Sequence, residues 1–507
     1  MTHPIHAVYE NLAAKADRPA LIDGDTTLTH ADLIDRVEAA AADLIQRGVR
    51  RGDRISLCAA NSADHIVAYL AILRAGAVWT PLNPRNGAQL NSDFQARARP
   101  VLTLHDAASV ASAGVCARPL PLEHWLADLP PNLDEGAADL PPIHDDPAAP
   151  FALKFTGGST GVPKGVVQSQ ASGRAALDSM AGFYGFTAED VNLAVAPLTH
   201  GSSHYVLPVL AAGGAHVLLA EPDRAAILAE LKRRVSVAFM PPTLIALLMA
   251  EASFAPDDFP ALRHITYSAA PMSPDRIAEA IARFGPVIST LFGQTEAPMT
   301  IAGLSPSEMA DPALRASVGR TFPGTRVAVL DASGVVHDHG EGEIVVAGDL
   351  ARTEYLGAPE LTAASRHGDW LKTGDIGRLS SDGLLTLIGR SKDLIITGGY
   401  NVYPGEVEAA LNRHPAVREA CAFAVEDEVW GERLEAAVAV TPGFADDASI
   451  RAFVREAIGP VRTPKRLHLL DALPRNPVGK VVRTQVRDLV LPDQSTPSSV
   501  AFRENRP

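Results

Sequence analysis

The pattern that most constrains the fold is a strand, a helix and a second strand that follow one another from residue 54. Apolar residues predict a strand over Ile55–Ala59, and Ser62 is a typical helix N-cap. Apolar residues at helical spacing follow, and Gly76 marks the end of the helix before a strand at Val78–Thr80. The segment therefore reads as a βαβ unit, which joins two parallel strands through a helix.

The same alternation returns in the middle of the chain. Strands are predicted at Val235–Met240, Ile265–Ala269 and Val287–Leu291, with helices that begin after Thr243 and at Ser273. Strands that alternate with helices indicate an open, mostly parallel sheet covered by helices. The predicted fold class is therefore α/β.

The length of 507 residues exceeds a single ordinary core, so at least two domains are expected. A proline-rich and acidic stretch at residues 127–150 reads as a solvated connection between two βαβ layers. After about Thr325, short alternating strands with glycine turns predict a small β-barrel, and a compact α+β region follows. The expected domains are residues 1–390 and 391–491, with a disordered tail at 492–507.

Composition excludes several classes of protein. Hydrophobic residues make up 47% of the chain and charged residues 21%, and no apolar run approaches the ~20 residues of a membrane helix. A net charge of −14 argues against a nucleic-acid partner. The 3 cysteines lack a C-x-x-C spacing, and the N-terminus lacks the features of a secretory signal. A reducing cytoplasm is the expected location.

The segment Phe155–Val166, F-T-G-G-S-T-G-V-P-K-G-V, has the composition of a polyphosphate-binding loop. Glycines let the backbone N–H groups approach an anion, hydroxyls donate further hydrogen bonds, and Lys164 supplies a mobile charge. It is not a Walker loop, because Pro163 precedes the lysine and Gly165 follows it. A flexible surface turn is the alternative interpretation, but it would not require a strand-like Val-Val directly afterwards.

The chain resembles the adenylate-forming superfamily of acyl-CoA synthetases, peptide-synthetase adenylation domains and luciferases. Several separate segments carry the resemblance, in the family's order and over nearly the whole length. They are Thr156–Lys164, Pro197–Gly201, Leu291–Glu296, Trp370–Asp375, Gly389–Asp393, Gly398–Glu406 and Pro474–Lys480. The resemblance implies a large N-terminal adenylation domain, with two βαβ-layered subdomains and a small β-barrel, and a smaller mobile α+β C-terminal domain.

The resemblance also implies where ATP and Mg²⁺ bind. Glu296 would hold Mg²⁺ with Thr156, since Mg²⁺ prefers one or two carboxylates together with phosphate oxygens. Asp375 and Arg390 would contact the ribose, and Phe292 would lie against adenine. The nucleotide site is expected to comprise Thr156, Gly157, Gly158, Ser159, Thr160, Gly161, Lys164, Ser268, Ala269, Ala270, Leu291, Phe292, Gly293, Gln294, Thr295, Asp375, Ile388, Arg390, Lys392, Gly398, Gly399 and Tyr400.

The expected catalytic residues are Lys480, Glu296, Thr156 and His200. Attack of a carboxylate on the α-phosphorus of ATP brings two anions together, so a cation that bridges them lowers the barrier, and Lys480 is expected to do this. His200 resembles the family histidine at the mouth of the acyl pocket. Lys392 lies where the family's C-terminal domain rotates between its two half-reactions, and Gly398 and Gly399 would line the route of the pantetheine thiol.

The expected acyl pocket comprises His200, Ser203, His204, Phe239, Met240, Ala270, Leu291, Gly293, Ala297 and Met299. Neither arginine nor lysine occurs between Ala196 and Ala215, which argues against a dicarboxylate that needs a paired cation there. The expected substrate is an uncharged short- or medium-chain acid, or one with a single aromatic or alicyclic ring.

The sequence therefore predicts an AMP-forming acid–CoA ligase that uses ATP, Mg²⁺ and coenzyme A, acts on a small carboxylic acid and has no integral membrane segment. A homodimer is compatible with the sequence, which does not determine the oligomeric state. One alternative is a ligase that loads a carrier protein, although no carrier domain is attached and no aspartate for an α-amino group follows Phe239 and Met240. The other is a non-catalytic nucleotide-binding scaffold, against which the intact Lys480, Glu296 and Asp375 argue.

Overall fold

The structure is a computed structural model that describes residues 2–130, 140–156, 163–220, 222–251, 254–268, 270–475 and 480–491. Contacts between residues divide the chain into two compact units. The large unit comprises residues 1–373 and 377–387, and the small unit comprises 374–376 and 388–507. The domain limits at 390 and 491 remain predictions, and the predicted tail lies outside the described residues.

The large unit contains most of the strands and helices. Its strands are β1 Pro19–Asp23, β2 Thr26–Thr29, β3 Arg54–Cys58, β4 Val78–Pro81, β5 Leu102–His105, β6 Pro119–Pro121, β7 Pro150–Thr156, β8 Lys164–Ser169, β9 Val191–Ala194, β10 Ala215–Leu218, β11 Val237–Met240, β12 His264–Tyr267, β13 Ile288–Gln294, β14 Ala297–Leu304, β15 Gly319–Thr321, β16 Arg326–Leu330, β17 Val336–His337, β18 Gly340–Ala347, β19 Thr353–Tyr355, β20 Arg366–His367, β21 Trp370–Leu379 and β22 Leu384–Arg390, the last two extending into the small unit.

Its α-helices are α1 His6–Tyr9, α2 Leu12–Lys15, α3 His30–Gln46, α4 Ala63–Arg74, α5 Ala88–Ala98, α6 Val110–Ala113, α7 Leu122–Ala127, α8 Gln170–Tyr184, α9 Val206–Ala211, α10 Arg224–Arg233, α11 Pro242–Glu251, α12 Pro274–Phe284, α13 Pro306–Met309 and α14 Pro359–Ala364. Short 3₁₀ turns span Gly201–Tyr205, Pro256–Asp258 and Asp349–Ala351. None of the helices in the described part of the chain has the length and apolar character needed to cross a membrane.

A seven-stranded sheet in the large unit has the order β19-β8-β7-β4-β3-β5-β6. Its β3 and β4 are parallel and are joined by α4, which confirms the predicted βαβ unit. The Ser62 hydroxyl accepts a hydrogen bond from the His65 N–H at the start of α4, and Gly76 has a φ of +75° beyond its end. At the other side of the sheet, β7 pairs antiparallel with β8 and so brackets the glycine-rich loop.

The second sheet of the large unit contains 15 strands. Parallel pairing runs through β1, β10, β9, β11, β12 and β13, as the middle of the sequence predicts. The predicted helix starts are also present, since Ser273 caps α12 with Pro274 in its first turn. Parallel strands present their carboxyl ends at one edge of the sheet, which is where ligands bind in open α/β folds.

The short strands after Thr325 continue the second sheet. Beyond β14 and β15 they follow in the order β22-β21-β18-β16-β17, so the predicted small β-barrel is hydrogen-bonded to the same sheet. The pairs β14–β15, β15–β22 and β16–β18 are antiparallel. The sequence thus predicts the strands but not their attachment, because pairing between distant strands leaves no local signal.

The small unit has its own sheet and core. Its elements are β23 Ile395–Thr397, β24 Tyr400–Val402, α15 Pro404–Leu411, β25 Val417–Asp427, β26 Gly431–Val440, α16 Asp447–Ile458, β27 Arg466–Leu470 and α17 Arg483–Val490, with a 3₁₀ turn at Ser391–Asp393. The order β24-β23-β26-β25 is antiparallel, and β27 pairs parallel with β26. The predicted α+β organisation of this region is confirmed.

Candidate active site

The base of the glycine-rich loop is a strand pair. β7 ends at Thr156 and β8 begins at Lys164, and these two residues lie opposite each other in the antiparallel register. Both side chains are partly exposed. The predicted phosphate-binding residues Gly157, Gly158, Ser159, Thr160 and Gly161 lie outside the described residues.

Lys164 is held beside a tyrosine that the sequence analysis missed. Its ammonium lies 5.7 Å from the ring centroid of Tyr355, on β19. The Tyr355 hydroxyl donates a hydrogen bond of 2.8 Å to Oε1 of Glu296. Desolvation, followed by the Glu296 carboxylate, raises the pKa of Tyr355, which therefore stays a neutral donor. Tyr355 thus links the loop lysine to the predicted Mg²⁺ ligand.

Glu296 lies in the two-residue turn between β13 and β14, where Gln294 pairs with Ala297. Its backbone carbonyl accepts a hydrogen bond of 2.7 Å from the Thr353 hydroxyl, and the Gln168 side chain donates one of 2.8 Å to the neighbouring Thr295 carbonyl. The turn is therefore fixed through both backbone and side chain.

A Mg²⁺ ion bound with ATP suits this arrangement. Among the described residues, no group of three or more His, Cys, Asp or Glu side chains could hold a metal ion. Mg²⁺ usually takes one or two carboxylates and completes its shell with phosphate oxygens and water. The single oriented carboxylate of Glu296 fits that donor set.

The predicted adenine-side residues lie at the carboxyl edge of the second sheet. Ser268 directly follows β12, and Leu291, Phe292, Gly293 and Gln294 belong to the end of the neighbouring β13. Ser268 is buried and Ala270 is exposed, whereas Ala269 lies outside the described residues. The structure therefore gathers these residues at the edge that a nucleotide would occupy.

Gly293 is required by close backbone packing. A β-carbon at this position would lie 2.3 Å from the Met299 amide nitrogen, which is backbone and cannot move aside. Met299 itself has a φ of +62°, in the left-handed region that non-glycine residues rarely adopt. The β13–β14 hairpin is thus closely packed and strained beside Glu296.

Part of the predicted acyl pocket is brought together around the turn Gly201–Tyr205. A β-carbon on Gly201 would lie 2.9 Å from the Phe239 ring and 3.3 Å from the Met299 sulfur. Phe239, Leu291 and Met299 belong to one apolar cluster. His200 is exposed, and its Nδ1 lies 2.8 Å from the Thr199 hydroxyl oxygen.

Two predicted pocket residues pack elsewhere. Met240 follows Phe239 on β11, so its side chain points to the opposite face, and it is buried in a different cluster with Ile245 and Tyr267. Ala297 is buried in a third cluster with Ala176. Met240 is thus separated from Phe239 because neighbouring residues of a strand point to opposite faces, and Ala297 packs in a different cluster from Met299.

A buried lysine beside the same turn was also missed. Lys154, on β7, lies with its ammonium 3.1 Å from the Ser203 hydroxyl oxygen and 3.0 Å from Nε2 of His204. Its burial lowers its pKa to about 7, and burial lowers the pKa of His204 well below its usual value. Residues 196–215 contain no lysine or arginine, but Lys154 from β7 supplies a basic side chain to this region.

Asp375 and Arg390 come together in the small unit, 15 residues apart in sequence. Arg390 Nε donates a hydrogen bond of 2.9 Å to Asp375 Oδ1. Burial raises the pKa of Asp375, while Arg390 opposes the shift. Desolvation, followed by the Arg390 charge, lowers the pKa of Lys480, and Asp375 raises it. The two residues predicted to contact the ribose are therefore hydrogen-bonded to each other, and Lys480 interacts electrostatically with both, while their role at the ribose stays a prediction.

The remaining predicted residues of the small unit lie near its first hairpin. Gly398 and Gly399 form the two-residue turn between β23 and β24, with φ of +56° and +82°, as a hairpin turn of this length favours. A β-carbon on Gly398 would meet the Trp430 ring at 2.7 Å. Tyr400 and Lys392 are exposed, and Ile388 is partly buried.

Comparison with known proteins identifies the family. The AMP-binding enzyme family matches residues 8–356, and the AMP-binding enzyme C-terminal domain matches residues 406–480. The chain belongs to the AMP-binding enzyme family. The adenylate-forming resemblance is thereby confirmed, and with it the mixed α/β architecture of a large N-terminal and a smaller C-terminal part.

Three similar proteins illustrate the relationship. A medium/long-chain-fatty-acid–CoA ligase of Mycobacterium tuberculosis is 32% identical over 96% of this AMP-binding enzyme and 90% of the relative. A CoA ligase of the same organism, named for a methyl-dioxo-octahydroindenyl propanoyl group, is 32% identical over 93% and 96%. The structure of the amide bond synthetase McbA from Marinactinospora thermotolerans aligns with a TM-score of 0.85 at 28% identity, covering 96% and 99%.

These findings place this AMP-binding enzyme among the ATP-dependent acid–CoA ligases. ATP, Mg²⁺ and coenzyme A are the small molecules of that reaction class. The predicted enzyme class and cofactors are confirmed at this level.

Proposed function

We propose that this enzyme activates a small carboxylic acid, of short or medium chain or with a single ring, as acyl-AMP and then transfers the acyl group to coenzyme A. In the first step, a carboxylate oxygen attacks the α-phosphorus of ATP and pyrophosphate leaves. In the second, the CoA thiol attacks the acyl carbon, AMP leaves and the thiol proton is released. The bonds broken and formed balance without a further reactant.

One observation carries this proposal more than any other. The side chain of Tyr355 contacts both the Lys164 ammonium, through its ring, and the Glu296 carboxylate, through its hydroxyl. The Tyr355 side chain therefore bridges a cation at the base of the phosphate loop and a carboxylate suited to bind Mg²⁺. Phosphoryl transfer depends on such positioned charges, because negative charge must be held and neutralised in the transition state.

The size of the acid is inferred from the walls around the turn Gly201–Tyr205. Phe239 and Met299 approach Gly201 so closely that a methyl group there would collide with them. A pocket in which three residues meet this tightly favours a small acyl group. The apolar character of Phe239, Leu291 and Met299 supports a substrate that presents hydrocarbon to this wall.

Cytoplasmic location is part of the same proposal. Cys58, Cys116 and Cys421 are free thiols, and Cys58 and Cys421 are buried. Unpaired buried cysteines are usual in proteins of a reducing compartment.

A screen of acids tests the function. Wild-type enzyme is incubated with MgATP and one acid at a time, drawn from straight-chain acids of increasing length, benzoic acid and cyclohexanecarboxylic acid. AMP release is measured with and without coenzyme A, and ATP–pyrophosphate exchange is measured without it. We expect acid-dependent exchange without coenzyme A, and rapid AMP release together with a thioester only when it is present.

Other outcomes are informative as well. Acid-dependent exchange without any thioester would mean that the acceptor is the phosphopantetheine of a carrier protein or an amine. A carrier protein loaded with phosphopantetheine, and a set of simple amines, are then tested as acceptors. Absence of exchange with every acid would contradict the proposal and favour a nucleotide-binding scaffold.

A further inference from the structure

Lys154 lies in the strand that leads into the phosphate loop. Its side chain is only 7% exposed, and it follows the apolar, buried residues Phe151, Ala152 and Leu153. Alternate residues of a strand point to the same face, so Lys154 and Thr156 share one face of β7, about 7 Å apart along the strand. Lys154 therefore lies on the same face of β7 as Thr156, the residue at which the glycine-rich loop begins.

The neighbours of the Lys154 amine are neutral. It donates to the Ser203 hydroxyl oxygen at 3.1 Å and lies 3.0 Å from Nε2 of His204, and it is 5.1 Å from the ring centroid of Trp79. Within the described residues, no salt bridge joins Lys154 to a carboxylate of Asp or Glu. A buried amine without a carboxylate partner is costly, and proteins retain such groups mainly for function.

A small cavity of about 20 Å³ lies beside this amine. Its lining includes the polar side chains of Lys154, Ser203, His204, Trp79 and Tyr69. The indole N–H of Trp79 is buried and has no acceptor within the described part of the chain. A cavity bordered by a buried amine and a hydroxyl favours an oxygen atom that accepts hydrogen bonds.

The same turn connects this cavity with the proposed acyl pocket. Ser203 and His204 belong to the turn Gly201–Tyr205, whose first residue packs against Phe239 and Met299. The Ser203 hydroxyl donates to the His200 carbonyl at 2.7 Å, which orients its oxygen lone pairs toward other donors. Lys154 thus contributes a cation beside Ser203 and His204, the polar residues of the proposed acyl pocket on this turn.

We propose that Lys154 is a specificity-determining residue, which donates a hydrogen bond to a second oxygen of a short acid, remote from the carboxyl group that reacts. The substrate class is then a short acid with a distal carbonyl or carboxylate oxygen. This inference rests on the proposed function and narrows it. The oxygen would take the place of the Ser203 or His204 contact of the Lys154 ammonium.

A matched set of five-carbon acids tests the inference. Valeric acid has no second oxygen, levulinic acid adds a ketone, and glutaric acid adds a carboxylate. Steady-state kcat/KM for AMP release is measured with each acid for the wild type and Lys154→Met, which keeps the length of the side chain and removes its donors. Lys15→Met is the control, since Lys15 is equally buried but donates to the Leu210 and Ala211 carbonyls.

We expect the wild type to prefer levulinic or glutaric acid over valeric acid. Lys154→Met should lower kcat/KM for the preferred acid by about 10–100-fold relative to valeric acid, as the loss of a hydrogen bond to a charged donor predicts. Lys15→Met should leave that ratio unchanged. A loss confined to levulinic acid identifies a ketone-type acceptor, and a loss confined to glutaric acid identifies a carboxylate.

The ratio of kcat/KM for two acids, measured on one enzyme preparation, does not depend on the fraction of the protein that is folded. A wild type that prefers valeric acid, or that accepts octanoic acid and none of the five-carbon acids, overturns the inference even if Lys154→Met does not fold. An equal loss for all three acids in Lys154→Met also overturns it and makes the lysine structural. Each of these results leaves the proposed function intact, whereas failure of the function itself appears as no acid-dependent exchange at all.

Discussion

The hydroxyl of Tyr355 donates a hydrogen bond of 2.8 Å to the Glu296 carboxylate across 59 residues of sequence. The two groups come from different sheets, since Tyr355 lies on β19 and Glu296 in the β13–β14 turn. This contact fixes the direction of the carboxylate before any ligand binds. If Glu296 binds Mg²⁺ together with ATP, as we propose, the oriented carboxylate would need no rearrangement.

Replacing Tyr355 by phenylalanine isolates this contact, because the ring beside Lys164 remains. Loss of one hydrogen bond to a charged acceptor should cost about 1.5–3 kcal/mol, or roughly 10–100-fold in the rate of ATP–pyrophosphate exchange. The exchange should also require more Mg²⁺. A titration with Mg²⁺ checks this, and an unchanged Mg²⁺ requirement would show that Tyr355 does not orient the metal ligand.

Lys480→Ala should slow adenylation by about 10²–10³-fold, as removal of one preorganised donor does in other enzymes. Thioester formation from a preformed acyl-AMP should be nearly unaffected. Lys465→Ala is a suitable control, because Lys465 is a lysine of the same unit whose ammonium lies over the Trp430 ring. If Lys480→Ala impaired only the thioester step, the assignment of this lysine to adenylation would be wrong.

Gly293→Ala should destabilise the large unit, because the new methyl group would lie 2.3 Å from the Met299 amide nitrogen. Overpacking of this kind costs about 1–3 kcal/mol. Gly182→Ala provides the matched control, since Gly182 is in α8 and a methyl group there meets no atom within 4 Å. Thermal unfolding should show a lower midpoint for Gly293→Ala and an equal or higher one for Gly182→Ala. Equal midpoints for both variants would refute the packing argument.

Stability should decrease as the pH falls below neutrality. Burial lowers the pKa of His216 from 6.5 to about 4, and that of His264 also to about 4. Between pH 6.5 and pH of about 4, the unfolded chain binds more protons than the folded one. Each histidine therefore lowers the free energy of unfolding by about 1 kcal/mol per pH unit on acidification. Above pH 6.5 this contribution is constant.

Substitution of one of these histidines measures its contribution to the pH dependence of the unfolding free energy. His216 is neutral in the fold, where Nε2 contacts the Val206 carbonyl and Nδ1 the Asn192 amide. His216→Gln should flatten the dependence of the unfolding free energy on pH between about 6.5 and about 4. A slope identical to that of the wild type would show that His216 does not titrate on unfolding.

The local signals of the sequence predict the fold well where they are complete within a short segment. Ser62 and Gly76 mark the two ends of one helix, and the strands on either side pair in parallel. The strands after Thr325 are also predicted, but their attachment to the second sheet is not. Such pairing depends on partners that are far apart in sequence.

The site shows the same limit. Thr156, Lys164 and the turn at Glu296 are evident as motifs, because glycines and hydroxyls cluster there. Tyr355 and Lys154 are not evident as motifs, since the partner that indicates a role for each lies 59 and 49 positions away, respectively. A charged residue in an apolar strand directly before the phosphate loop was the signal that could have identified Lys154.

The fate of the acid's oxygen tests the central claim most directly. The acid that is most active in the screen is labelled with heavy oxygen in its carboxyl group, and the enzyme is allowed to turn over with MgATP and coenzyme A. Attack of the carboxylate on the α-phosphorus predicts that one labelled oxygen appears in AMP. Label found in inorganic phosphate, or in no phosphate-containing product, would contradict acyl-adenylate formation.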